Sequence, residues 1–308
     1  MKKLLCLLAV SLLLCSSIIT AQTQKDIVEA IEKEGMENSQ LEQLAYELMD
    51  LNGPRLVGTP EMKTAHDWAI NTYKKWGISA ENQQWGTWKG WQRGITHVDM
   101  VSPRLASLHA TQLAWNPGTS SKGVTASLIS LPSFSDSLAF EKWLPNVKGK
   151  IVMVSMLQPT GRPDENWEEY ATKESFEKMK TERDSLEKIW RQNINNTGYT
   201  SRNINAAFEK AGAVGIAQSR WSEGFGANKI FRAGTEKIPA VDISLEDYGM
   251  LYRMVEHGAN PQIKIIAESK DLGKVPTFNT IATIPGTEFP DEYVILSAHF
   301  DSWDGATG

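Results

Sequence analysis

The 308-residue chain has only two cysteines, Cys6 and Cys15, both within its first 15 positions. If the leader that holds them is removed, no disulfide, cysteine nucleophile or cysteine-ligated zinc is possible in what remains. The chain also lacks a long apolar run. Its most hydrophobic stretch, Leu4 to Leu14, falls short of the roughly 20 residues that span a bilayer. Basic excess is missing as well: 37 acidic residues against 32 basic ones give a net charge of -5. There is thus no cationic stripe to neutralise a phosphate backbone, which argues against nucleic acid as a partner. There is no H-E-x-x-H pair and no G-x-S-x-G elbow, and Gly224-Phe225-Gly226 is not followed by the third glycine of a dinucleotide loop. What the chain does have, 41% apolar and 22% charged residues with 23 Gly and 13 Pro, is the composition of a globular protein.

Lys2 and Lys3 ahead of the apolar run, and Ala21 at a plausible cleavage point, predict a secretory signal peptide over residues 1–21. Export would make the protein secreted or periplasmic, with no membrane span after cleavage. The bulky Leu14 before Cys15 fits lipoprotein processing poorly.

Along the rest of the chain, Leu41, Leu44, Ala45, Leu48 and Leu51 have helical spacing, with Ser39 and Glu42 in capping-box form. Thr59 and Pro60 predict the start of a second helix, whose apolar face is Met62, Ala65, Ala69, Tyr73 and Trp76 and whose stop is Gly77. Ile95–Val101, Val124–Leu131 and Lys150–Met156 read as strands. Lys173–Gln192, charged but with Phe176, Met179, Leu186 and Trp190 at helical intervals, reads as an amphipathic helix, packed on a neighbour by one thin stripe or forming a flap over a site. Helix and strand then alternate: a helix from Asn205, the apolar Ala213–Ala217, a strand at Ile238–Ile243, and a helix over Leu245–His257. Two strong strands close the series, Thr277–Ile284 and Glu292–Ala298.

The sharpest chemical signal follows the last of these: Tyr293-Val-Ile-Leu-Ser-Ala-His299-Phe-Asp301-Ser-Trp303-Asp304-Gly305. A buried strand running into polar residues places them where α/β sheets bind ligands, at the carboxyl ends of strands. Alternation along a strand puts His299 and Asp301 on one face, where the carboxylate can set the tautomer of a metal-binding imidazole. The other histidines, His66, His97, His109 and His257, have no ligand spacing and read as packing or surface residues. Trp85, Trp88 and Trp91 offer either a peptide or carbohydrate platform or ordinary packing.

With these residues in view, the sequence resembles the secreted co-catalytic zinc exopeptidases of the carboxypeptidase Q-like group, peptidase family twenty-eight. Val294 to Asp304 matches the strand that enters that family's metal site, and Asn279 to Gly286 its preceding strand and turn. Asn52-Gly-Pro-Arg55-Leu56-Val-Gly58-Thr59-Pro60 matches its G-P-R-L-x-G motif. Val147–Val152, Ala211–Gly215 and Ile238–Val241 resemble the protease-associated domain carried as an insertion.

The resemblance implies an α/β fold: a zinc-exopeptidase α/β/α domain interrupted by a β-rich α+β protease-associated domain. It implies leading helices and first strands over 22–100, the insertion over 101–272 with its charged helix near 173–192, and the first metal-site strands over 273–308. It implies His299 as a zinc ligand, Asp301 as the carboxylate that orients it, and no assignable role for Asp304. It implies two zinc ions and a peptide substrate, with the remaining ligands and the general base beyond Gly308. The expectation is therefore an inactive amino-terminal portion of an exopeptidase, whether aminopeptidase, carboxypeptidase or dipeptidase. The alternative is a non-catalytic secreted protein whose protease-associated domain is an interaction module.

Overall fold

The computed structural model describes residues 25–220 and 233–304. The expected signal peptide and the Gly224-Phe225-Gly226 triplet lie outside them. The chain forms two units divided after Leu51. The first holds helix α1 over residues 25–37 and α2 (Leu41–Ala45), which widens into a π-helical turn over Tyr46–Leu51. The expected capping box is corrected here. Gln40, not Ser39, is the N-cap and makes no side-chain cap bond, while the Ser39 hydroxyl accepts from the Leu41 amide. With the helix starting one residue late, Glu42 is in the first turn but outside the box register.

In the second unit α3 (Pro60–Lys75) starts as its sequence dictates. Thr59 accepts from the Met62 amide, Pro60 needs no amide donor, and Gly77 takes a positive φ after the last turn. One eight-stranded mixed sheet follows, built from β1 (Ser79–Ser102), β2 (Ala106–Leu108), β3 (Ala110–Gln112), β4 (Val124–Ser130), β5 (Ile151–Met153), β6 (Gly215–Gln218), β7 (Ala240–Ile243) and β8 (Gln262–Thr283). Its order is β2-β1-β8-β4-β5-β6-β7-β3, with β4 to β7 parallel and the outer pairings antiparallel.

The parallel strands are covered on both faces, as parallel strands require. Alternation divides them: Ile151, Met153, Ala217, Val241 and Ile243 join Tyr248 and Leu251 of α8 (Leu245–Glu256) in one core. Val152, Ile216 and Ala240 join Phe140 of α4 (Ser137–Trp143), Ile194 of α6 (Lys173–Asn196) and Ile204 and Phe208 of α7 (Ile204–Lys210) in the other. The short α5 (Asp164–Tyr170) is tied to α6 by a bidentate Asp164–Arg183 ion pair. The region expected as an insertion, 101–272, therefore contributes β2 to β7 and α4 to α8.

Two expected strands are only the ends of longer ones. Ile95–Val101 belongs to β1 and Thr277–Thr283 to β8, and the two pair antiparallel from Ser79 opposite Thr283 to Ser102 opposite Gln262. The ribbon bends at four register shifts, one of them beside Gly90, where a Cβ would meet the Val275 side chain at 2.6 Å. The expected strand Glu292–Ala298 does not form. Val294 and Leu296 are 97% and 95% exposed, and the whole run is irregular. β propensity alone does not make a strand; a ladder partner does, and this run has none among the described residues.

Candidate metal-binding segment

After the exposed run, the chain turns back onto the fold at Phe300. Its ring lies 5.3 Å from the imidazole of His66, a buried residue of α3. The Thr280 hydroxyl donates to Asn82 Oδ1 at 2.8 Å, so it accepts from His66 Nδ1 at 2.7 Å. Burial lowers the pKa of His66, with Asp67 opposing. His66 is therefore a neutral packing residue with a committed Nδ1–H.

The loop before α3 holds the same segment. The Arg55 amide donates to Ser302 Oγ at 2.8 Å, the Ser302 amide donates to the Arg55 carbonyl at 3.0 Å, and Arg55 Nε donates to the Phe300 carbonyl at 3.0 Å. Arg55 is buried, which lowers its pKa, and the nearby Asp301 carboxylate opposes that shift. The loop is itself fixed on β1. Gly58 is at φ +82° with its carbonyl accepting from the Trp91 amide, and Leu56 packs with Trp91. Within the G-P-R-L-x-G stretch, Arg55 thus holds the segment while Leu56 and Gly58 fix the loop on β1.

Beyond Ser302, Asp304 is buried in an ion pair with Arg93, whose guanidinium also lies over the Trp91 ring at 5.0 Å. Burial raises Asp304 to about 6, against the pull of Arg93. Trp91 is buried, with its indole N–H donating to the Asn116 carbonyl at 3.0 Å, whereas Trp85 and Trp88 are exposed and Trp88 meets Trp115 edge-on. The triplet is therefore not one platform.

His299 and Asp301 do come together. His299 Nδ1 lies 2.8 Å from the Asp301 carbonyl oxygen and 3.2 Å from its Oδ1. Both neighbours accept, so in the neutral ring Nδ1 carries the proton and Nε2 keeps its lone pair. The side chain is 84% exposed, and Nε2 has no hydrogen bond among the described residues. The route to this contact differs from the expected one. No strand alternation is involved, because residues 299–303 are irregular, and the bend lets Nδ1 reach both the backbone and the side chain of Asp301.

Whether these residues suit zinc follows from the donors. A catalytic zinc takes three protein ligands and keeps an open position. No group of three or more His, Cys, Asp or Glu is assembled among the described residues, and His97, His109 and His257 are exposed elsewhere. The described residues fit one ligand position and not a complete site. An open groove of about 710 Å³ along α3 beside Trp68 and Asn71 is lined by none of residues 299–304. Composition and spacing gave no sign of Arg93, whose partner is 211 residues away. Arg55 had a signal, its place in the G-P-R-L-x-G motif.

No family model matches the chain. Over 275 residues, 88% of its length, it is 26% identical to carboxypeptidase Q of Homo sapiens, and over 293 residues it is 24% identical to carboxypeptidase Q of Xenopus laevis. These alignments cover 51% and 54% of the two relatives, so the chain spans about half the length of the curated relatives it matches. Among solved structures, a Peptidase M28 precursor from Shewanella amazonensis superposes with a TM-score of 0.61 at 23% identity, covering 93% of this chain and 60% of that one. This chain has the M28 peptidase fold. The likeness to the carboxypeptidase Q-like group that the ordered motifs suggested is borne out by the sequence comparison, and the fold it implied by the structural one. In the M28 fold seen here, the segment bearing His299 is held against the α3 loop and the β1–β8 ribbon, and no helix of the described residues is long and apolar enough to cross a membrane.

Proposed function

We propose that this chain is the amino-terminal portion of a secreted zinc-dependent exopeptidase that hydrolyses peptide bonds at the end of a peptide or in a dipeptide. His299 is a zinc ligand and Asp301 the residue that orients it. The observation that carries this reading is the paired contact from His299 Nδ1 to the Asp301 carbonyl and carboxylate, which leaves Nε2 facing outward. A carboxylate or carbonyl on one ring nitrogen is the usual companion of a metal on the other. The likeness to carboxypeptidase Q and the M28 fold support the same activity for the whole protein. Residues 101–272 are proposed to be a protease-associated insertion shaping access to the site, and residues 1–21 the export signal. A purely binding role has no observation in its favour.

With one imidazole and one orienting carboxylate, the described residues by themselves are short of a site. The expected result with purified protein is weak zinc binding, lost in His299→Ala, and no hydrolysis of dipeptides or aminoacyl substrates. Stoichiometric zinc retained through dialysis in both proteins, or turnover by the 308-residue chain, would overturn it.

A further inference from the structure

We propose that Arg55 is a positioning residue for His299: by clamping the backbone of residues 300–302 it holds the imidazole on Asp301 and so sets which ring nitrogen faces outward. This deepens the zinc-ligand reading and rests on it for its functional meaning, but its structural content stands alone.

On the amino-terminal side nothing among the described residues anchors His299, since Tyr293, Val294, Ile295 and Leu296 are 80%, 97%, 80% and 95% exposed and belong to no strand. Its orientation must therefore come from the residues that follow. The first of these anchored by hydrogen bonds is Phe300, through its carbonyl to Arg55 Nε, and next Ser302, through both its amide and its hydroxyl to the Arg55 backbone. Asp301 lies between those two attachments, so its carbonyl and carboxylate, the two acceptors of His299 Nδ1, are held from both sides. Arg55 can act as a fixed post because it is itself buried. Its Nη1 donates to the Gly53 carbonyl at 3.2 Å, and the next residue, Leu56, packs into the cluster with Trp91 and Ala114. A guanidinium is suited to this role because its donors lie in a rigid plane, whereas an ammonium would be a mobile point charge.

The test reads the tautomer of His299 by two-bond proton–nitrogen correlation in the nitrogen-labelled 308-residue chain, together with amide exchange at Ser302. In the unsubstituted protein Nδ1 carries the proton. In Arg55→Met, which keeps the apolar stem and the backbone bonds to Ser302 but removes the side-chain donor to the Phe300 carbonyl, the ring is expected to shift toward the Nε2–H form favoured by an unpartnered exposed imidazole. Exchange at the Ser302 amide, which donates to the Arg55 carbonyl, is expected to rise at least about tenfold as the segment loosens. Arg55→Lys is expected to restore the native tautomer only in part. If Arg55→Met fails to fold, Ser302→Ala removes one attachment and should move both readouts in the same direction by less. An unchanged His299 tautomer in folded Arg55→Met, or in Ser302→Ala where that variant has to decide, overturns the proposal. Zinc titration separates the two readings: an Arg55-dependent tautomer in a chain whose Nε2 does not respond to zinc supports the positioning role and sinks the ligand assignment, while an Nε2 zinc response with a tautomer indifferent to Arg55 does the reverse.

Discussion

Asp242, on the buried strand β7, is 1% exposed, and its Oδ2 has no hydrogen-bond partner among the described residues. Its other oxygen has Gln218 at 3.5 Å, and burial pushes the carboxyl up to about 7 against the opposing pull of Gln218 and Arg220. The folded-state pKa lies above the unfolded one, so the contribution that favours folding is complete below about pH 4 and is lost as pH rises through about 7, at roughly 1.4 kcal/mol per pH unit between them. Thermal unfolding of the protein and of Asp242→Asn across pH 4 to 8 should show the difference closing on the alkaline side in favour of the variant; parallel curves would contradict this. Asp304 differs because it has a partner. Removing Arg93 leaves a buried carboxylate unpaired, so Arg93→Met should cost about 3–5 kcal/mol in denaturant unfolding, and the double variant Arg93→Met, Asp304→Leu should recover much of it. Equal losses in the single and double variants would show that the ion pair is not the cause. His299 and Asp301 could be picked out from the sequence because chemistry-bearing residue types cluster there. Arg93 and Asp242 could not, because each matters through a burial or a long-range partner that only the folded chain creates.

Helices α3, α6 and α8 were legible because each carries its own start signal: Thr59 caps α3, Thr172 caps α6 and Ser244 caps α8 through local bonds. Strands were legible in place but not in length. β1 and β8 extend far past their apolar stretches because pairing with each other, not composition, sustains residues such as Asn82, Gln83 and Gln84 in a ladder. The converse failure is the Tyr293–Leu296 run, apolar and β-branched yet exposed. Leu296→Asp should therefore change stability by no more than about 0.5 kcal/mol, whereas Ile263→Ala in the core should cost about 2–5 kcal/mol. A large loss for Leu296→Asp would mean that the run is packed. The loop before α3 is the most exacting element. At Gly58 a Cβ would lie 2.7 Å from the Lys89 carbonyl oxygen at a φ that side chains rarely adopt, so Gly58→Ala should lower the unfolding midpoint and weaken protection of the Ser302 amide together. Loss of stability with protection of that amide intact would separate the loop from the docking.

At the level of the whole molecule, the two covered faces of the parallel strands build the M28 fold, while the residues proposed for metal binding, His299 and Asp301, lie in one short irregular segment after it. The chain aligns with about half of its carboxypeptidase Q relatives. The central claim is that it presents one zinc-ligand position, prepared by Asp301, and not a complete site. The most direct measurement is X-ray absorption at the zinc edge on the chain loaded with one equivalent of zinc, alongside His299→Ala. The predicted spectrum has a single imidazole in a shell otherwise made of water oxygens, and that imidazole is missing from the variant. Three or more protein ligands around the metal, or an identical spectrum without His299, would contradict it.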